Sequence, residues 1–135
     1  MNRKPGRFEI RDTPLGRVVV PVDGPDSAVA FWTTTDFDGR LDPSTVPKIL
    51  ETLRRLGSGA DTLQTCRQVH GVRVVEVGGR SEDWSECSDC DSLWTKSRDT
   101  SLGIKVADCL PVSIIDAKRE NGAVVNLHAG WRGAA

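Results

Sequence analysis

The chain has 135 residues, 38% hydrophobic and 27% charged, which is ordinary globular composition and argues against a disordered chain. Its formal net charge of −1 leaves no basic footprint for nucleic acid and no polybasic patch for a membrane. No apolar run approaches the ~20 residues of a membrane span, and the basic start Met1–Arg7 leads into no apolar signal core, so the expectation is a cytoplasmic protein.

In chain order, Phe8 to Ile10 and Val18 to Val22 read as short strands joined by a hairpin at Pro14-Leu15-Gly16. Ala28 to Thr34 is a further β-rich run, and Asp38-Gly39 marks a turn. Asp42-Pro43-Ser44 opens a helix with Ser44 as the expected N-cap. Val46, Leu50 and Leu53 recur at i, i+4, i+7, Ile49 and Leu56 widen that face, and Gly57 is placed to end it. Beyond it, Val72 to Val77 is a strand, and a polar loop runs from Gly78 to Cys90. Four short β-type runs follow: Ser92 to Thr95, Leu102 to Ala107, Val112 to Ile115 and Ala123 to Leu127. Several lack polar alternation, which implies strands covered on both faces. With no repeat or linker, the expectation is a single α/β domain over residues 1–135.

Three segments place a ligand-type residue beside a Gly or Pro turn. They are Gln68-Val69-His70-Gly71, Ala107-Asp108-Cys109-Leu110-Pro111 and His128-Ala129-Gly130-Trp131-Arg132-Gly133. His70 and His128 are the chain's two histidines, and with Cys109 they make a His2Cys set. Zinc favours imidazole mixed with thiolate, and three protein ligands leave a fourth tetrahedral position open, as catalytic sites do. The ligands are too far apart in sequence for a zinc-finger knuckle and would converge only through the fold. The same residues also suit a buried thiol and two surface histidines.

These three motifs, with Asp91-Ser92-Leu93-Trp94-Thr95 between the first two, resemble the multicopper-polyphenol-oxidase-like "laccase domain" family in wording and order. Its members are regarded as zinc-dependent purine nucleoside phosphorylases. The resemblance is strong over the second half of the chain and weak over the first. It implies that His70, Cys109 and His128 bind zinc. It also implies a layered alpha–beta–beta–alpha sandwich with mixed sheets, of which this chain supplies the N-terminal part. The implied reaction is phosphorolysis of adenosine, inosine, guanosine or methylthioadenosine by inorganic phosphate, giving base and sugar 1-phosphate. Deamination of adenosine is the implied second activity, with the metal acidifying water for attack on the purine ring. The older polyphenol-oxidase label implies copper, but one His2Cys set cannot supply the several copper centres of a true laccase.

Within that frame Arg132 is a candidate phosphate clamp, since guanidinium offers a bidentate fork, and Asp108 a candidate acid–base group or partner to an imidazole. Their alternatives are an Arg132 salt bridge and an Asp108 hydrogen bond to backbone. Trp131 is placed by its motif near the metal, whereas Trp32, Trp84 and Trp94 read as packing residues. One departure concerns the family's Arg-x-Gly-Gly-type element after an early Phe-Thr-Thr strand. Thr35 stands where its Arg is expected, and Arg40 is a potential substitute. Cys87-Ser88-Asp89-Cys90 is a CxxC that can join Cys66 in a second metal site or act as a redox pair. No second CxxC completes a four-ligand site, which favours incidental thiols.

Two rival readings use the same residues. In one, Cys109 is the nucleophile of a cysteine hydrolase and His70 or His128 its base. In the other, the chain is a fragment without catalytic function, because family members continue past the Trp-Arg-Gly turn. The combined expectation is retained zinc affinity with weak turnover.

Overall fold

A computed structural model describes residues 6–79, 82–116, 118 and 122–132, and it is α/β with mixed sheets, mostly strands and one helix. The chain divides into two compact units, Met1–Ser58 and Gly59–Ala135.

In the first unit, β1 (Phe8–Thr13) and β2 (Gly16–Pro21) form the expected hairpin, in register from Phe8 opposite Pro21 to Thr13 opposite Gly16. Gly16 has φ +91, and a Cβ there would stand 2.6 Å from Cβ of Asp36, so the turn requires glycine twice over. Asp36 grips the next residue, accepting from the Arg17 backbone N–H at 3.0 Å and from its guanidinium at 2.8 and 3.0 Å. Only β3 (Trp32–Thr33) of the expected run Ala28 to Thr34 is strand, paired antiparallel with Val18 and Val19. The turn closed by Ala28 N–H on Pro25 O and another by Phe37 N–H on Thr34 O bracket it.

Helix α1 (Val46–Arg55) buries Val46, Ile49, Leu50 and Leu53, the stripe that the spacing predicts, together with Thr52. Its N-cap is Thr45, not Ser44. The carboxylate of Asp42 accepts the N–H groups of Ser44 and Thr45 at 2.7 and 3.0 Å, a local turn that moves the helix start one residue on. Gly57 ends it at φ +98, with its own N–H on Arg54 O and Ser58 N–H on Leu53 O. Those two bonds make a Schellman motif.

The second unit holds two sheets. A parallel one has the order β6-β4-β8, from β6 (Trp84–Cys87), β4 (Thr62–Cys66) and β8 (Thr100–Leu102). A mixed one has the order β5-β7-β10-β9, from β5 (Val74–Glu76), β7 (Ser92–Thr95), β10 (Val124–Ala129) and β9 (Leu110–Ile115). Cys66, Cys90 and Leu93 are fully buried at the centre, with Val75, Val77, Leu102 and Ile104 packed on them.

Three expectations are corrected here. β4 was not expected as a strand, and β6 lies inside the stretch read as a polar loop. Both are rich in Thr, Ser, Gln and Glu, several of whose side-chain oxygens are bonded to neighbouring segments; Ser85 Oγ donates to Gln64 Oε1 at 2.8 Å and Trp84 Nε1 to Thr65 Oγ1 at 3.1 Å. The run Leu102 to Ala107 is strand only at its first residue; after Gly103 N–H reaches Gln64 O the chain leaves the sheet as a loop. Finally, β7 is covered on both faces, but Leu110 and Ile114 of the edge strand β9 are 65% and 54% exposed. They share a sheet face that is open at that edge. No helix among the described residues is long and apolar enough to cross a membrane.

Candidate metal centre

The mixed sheet brings the three predicted ligands to one of its ends. Strand β10 is antiparallel to both β7 and β9, so its last residues lie beside the first residues of its two neighbours. His128 is the penultimate residue of β10, paired with Pro111. Cys109 immediately precedes β9, and His70 lies in the loop between β4 and β5. The ligand atoms of His70, Cys109 and His128 all lie within 4.8 Å of one another. This is the sole cluster of three or more metal-ligating side chains among the described residues.

Burial grades across the cluster. His128 is 5% exposed, Cys109 half-buried and His70 exposed, so the group is anchored on the inner side and open on the outer. Cys109 Sγ lies 3.7 Å from His70 Nε2, and the two imidazoles meet edge to face with ring centres 4.8 Å apart. Two imidazoles and a thiol with one open side suit a borderline-soft divalent ion and leave room for a further ligand. The residues therefore fit a metal ion.

Asp91 was absent from the predicted site residues, and it organises the centre. It is fully buried, immediately before β7. Its Oδ1 accepts the His70 N–H at 2.9 Å and bonds His128 Nδ1 at 2.8 Å. Its Oδ2 accepts the N–H groups of Gly71 and Val69 at 2.8 and 3.2 Å. Burial by itself would push this carboxyl up. The bonds from His128 and from the Gly71, Val69 and His70 N–H groups outweigh that and hold it below its ordinary value. The loop it grips is unusual, since His70 has φ 60, a left-handed conformation rare outside glycine. The sequence signal for Asp91 was its place at the head of an apolar strand and of the motif Asp91-Ser92-Leu93-Trp94-Thr95, which gave it no role.

Gln68 tethers the loop that carries Cys109. Its amide donates to Lys105 O at 2.6 Å and accepts from Lys105 N–H at 2.8 Å, copying a β-ladder rung across two loops. Gly130 closes the arrangement, because a Cβ there would stand 2.7 Å from His70 Cδ2.

The other predicted site residues lie at the periphery. Asp108 is exposed and makes no hydrogen bond or ion pair with the described residues. The Arg132 guanidinium stacks on the exposed Trp131, 4.7 Å from the ring centre. The remaining thiols sit elsewhere. Cys66 pairs with Cys87 in the β4–β6 register and packs with Cys90 in the core. Burial, and then Cys90 beside it, push the Cys66 thiol up to about 12, which leaves it protonated and unreactive at neutral pH.

The chain is similar to several known proteins. An adenosine deaminase named RL5, from an unknown prokaryotic organism, is 33% identical over 85 residues, 58% of this chain and 32% of that protein. A purine nucleoside phosphorylase of Deinococcus radiodurans is 37% identical over 78 residues, 58% of this chain and 28% of that protein. One from Bacteroides thetaiotaomicron is 46% identical over 43 residues, 32% of this chain and 15% of that protein. The matched segments thus span about a third or less of these curated relatives. The family model "Multi-copper polyphenol oxidoreductase laccase" matches residues 37–135, from the turn before α1 through both sheets of the second unit to the glycine-framed His128 motif, and the chain belongs to that family.

Proposed function

We propose that this chain carries the metal centre of a zinc-dependent purine nucleoside phosphorylase, with deamination of adenosine as a second activity. The observation that supports it best is the convergence of His70, Cys109 and His128. Relatives named for both activities point the same way. Zinc is preferred over the copper of the family's older label because a single His2Cys set cannot supply the several copper centres of a laccase, whereas three such ligands with a fourth position open suit a catalytic zinc.

A bound zinc ion would supply Lewis-acid polarisation at an open coordination position. The chain's own groups would do the rest. His70, on the exposed side, borders the opening through which a nucleoside would enter. Asp108 adjoins Cys109 and has a carboxylate uncommitted to the described residues, so it would exchange a proton with the purine. Arg132, with its guanidinium spread on Trp131, would hold phosphate through paired N–H donors. Purine nucleoside and inorganic phosphate are the proposed partners.

One observation favours the rival cysteine hydrolase: Cys109 Sγ lies 3.7 Å from His70 Nε2. Against it, the imidazole oriented by a carboxylate is His128, while the thiol's close neighbour is His70. Nucleophile, base and orienting group are therefore not in series.

The test uses protein in excess over adenosine or inosine, with and without inorganic phosphate, and resolves the products by chromatography. Slow base release that requires phosphate and is lost in Cys109→Ser is expected. Base release indifferent to phosphate would contradict the phosphorylase reading.

A further inference from the structure

We infer that Asp91 is a positioning residue that sets both histidines of the centre, fixing the imidazole tautomer of His128 and the backbone seat of His70. This rests on the metal reading proposed above and deepens it.

The carboxylate works as a four-way acceptor. Oδ1 faces His128 Nδ1 and the His70 N–H, while Oδ2 faces the N–H groups of Val69 and Gly71. Three backbone N–H groups already point at the two oxygens, so this side chain is the acceptor of the cluster and the proton of the His128 bond sits on Nδ1. The lone pair of His128 is thereby left on Nε2, free to ligate. Three consecutive N–H groups converge on the same side chain and hold His70 in its left-handed conformation. Asp91 is itself fixed, its N–H on Arg73 O at 3.1 Å and its C=O accepting from His128 N–H at 2.7 Å. One buried side chain thus couples a loop to a strand that is distant in sequence.

An amide of the same shape cannot replace it. In Asp91→Asn, one orientation of the amide turns its NH2 on the N–H groups of Val69 and Gly71, and the loop loses two bonds. In the other, the NH2 donates to His128 Nδ1 and moves the ring proton to Nε2, where it blocks ligation.

Two measurements test this. In the metal-free wild-type chain, long-range nitrogen–proton correlation of the imidazoles is expected to show His128 protonated on Nδ1 and bare on Nε2. A proton on Nε2 instead would overturn the inference. Cobalt(II) then serves as the probe for Asp91→Asn. Affinity is expected to fall about 10- to 100-fold, with a changed visible ligand-field spectrum and cooperative unfolding retained. A folded variant that binds cobalt as tightly as wild type, with the same spectrum, would also overturn it. If the variant does not fold, the imidazole measurement on the wild type decides. If the wild type takes up no cobalt, the metal reading fails, and the tautomer still decides the role of Asp91.

Discussion

At the scale of single residues, the centre depends on what position 130 lacks. The imidazoles of His70 and His128 cross edge to face at 80° because the chain beside them carries no side chain. In Gly130→Ala the new methyl would stand 2.7 Å from His70 Cδ2, so the exposed His70 ring must swing aside. The φ of Gly130 is not in the left-handed region, so backbone strain adds nothing. Metal affinity is therefore expected to fall about tenfold or more with little change in unfolding temperature, read by metal titration and thermal denaturation. Unchanged affinity would mean that His70 is not held where the ion binds. The convergence of His70, Cys109 and His128 was legible in the sequence because His and Cys beside Gly or Pro turns are few in this chain. Asp91 was not, since its partners lie 20 or more positions away and nothing local marks a carboxylate that will be buried among N–H donors.

Among the elements, α1 was readable because its apolar positions repeat with the helical period and Gly57 stands at its end. Strand β4 was not: Thr62, Gln64 and Thr65 are polar by type yet buried. Their partners come from other segments, Thr62 Oγ1 donating to Asp99 O at 2.9 Å and Trp84 Nε1 donating to Thr65 Oγ1 at 3.1 Å. Polarity patterning cannot see such bonds. Strand β7 matters most to the site, because it starts directly after Asp91 and its Leu93 is fully buried beside Cys66 and Cys90. Leu93→Ala is expected to cost about 2–5 kcal/mol of stability, measured by urea denaturation. A cost below about 1 kcal/mol would show that the sheet does not rest on this side chain.

For the whole molecule, acid sensitivity is distributed unevenly. Asp23, Asp36, Asp38, Asp42 and Glu51 all lie in the first unit, and each is held below its ordinary value by hydrogen bonds from a neighbouring Arg, Ser or Thr. Asp36 falls to about 2, chiefly through the side-chain bonds of Arg17. A carboxyl lowered on folding stabilises fully above its unfolded value, and that contribution is lost as pH falls toward the folded one. The first unit should therefore lose stability below the ordinary carboxylate range and on down to about pH 2. Added salt should shrink the effect, because these pairs are exposed. In Asp36→Asn, hydrogen exchange of β2 amides is expected to depend less on pH across that window, and an unchanged profile would remove Asp36 as a cause. The fold class was legible at this scale from one helical stripe set among strand signals on both sides of it. The open face at β9 was not, because apolar runs look alike whether covered on one side or two.

The most direct measurement is the metal content of the purified chain by elemental analysis, compared among wild type, His70→Ala, Cys109→Ser and His128→Ala. One zinc per wild-type chain, lost or sharply reduced in each variant while the variants stay folded, is the expected result. Equal zinc in wild type and His128→Ala, or none in the wild type even after zinc is supplied, would contradict a centre built from these three side chains.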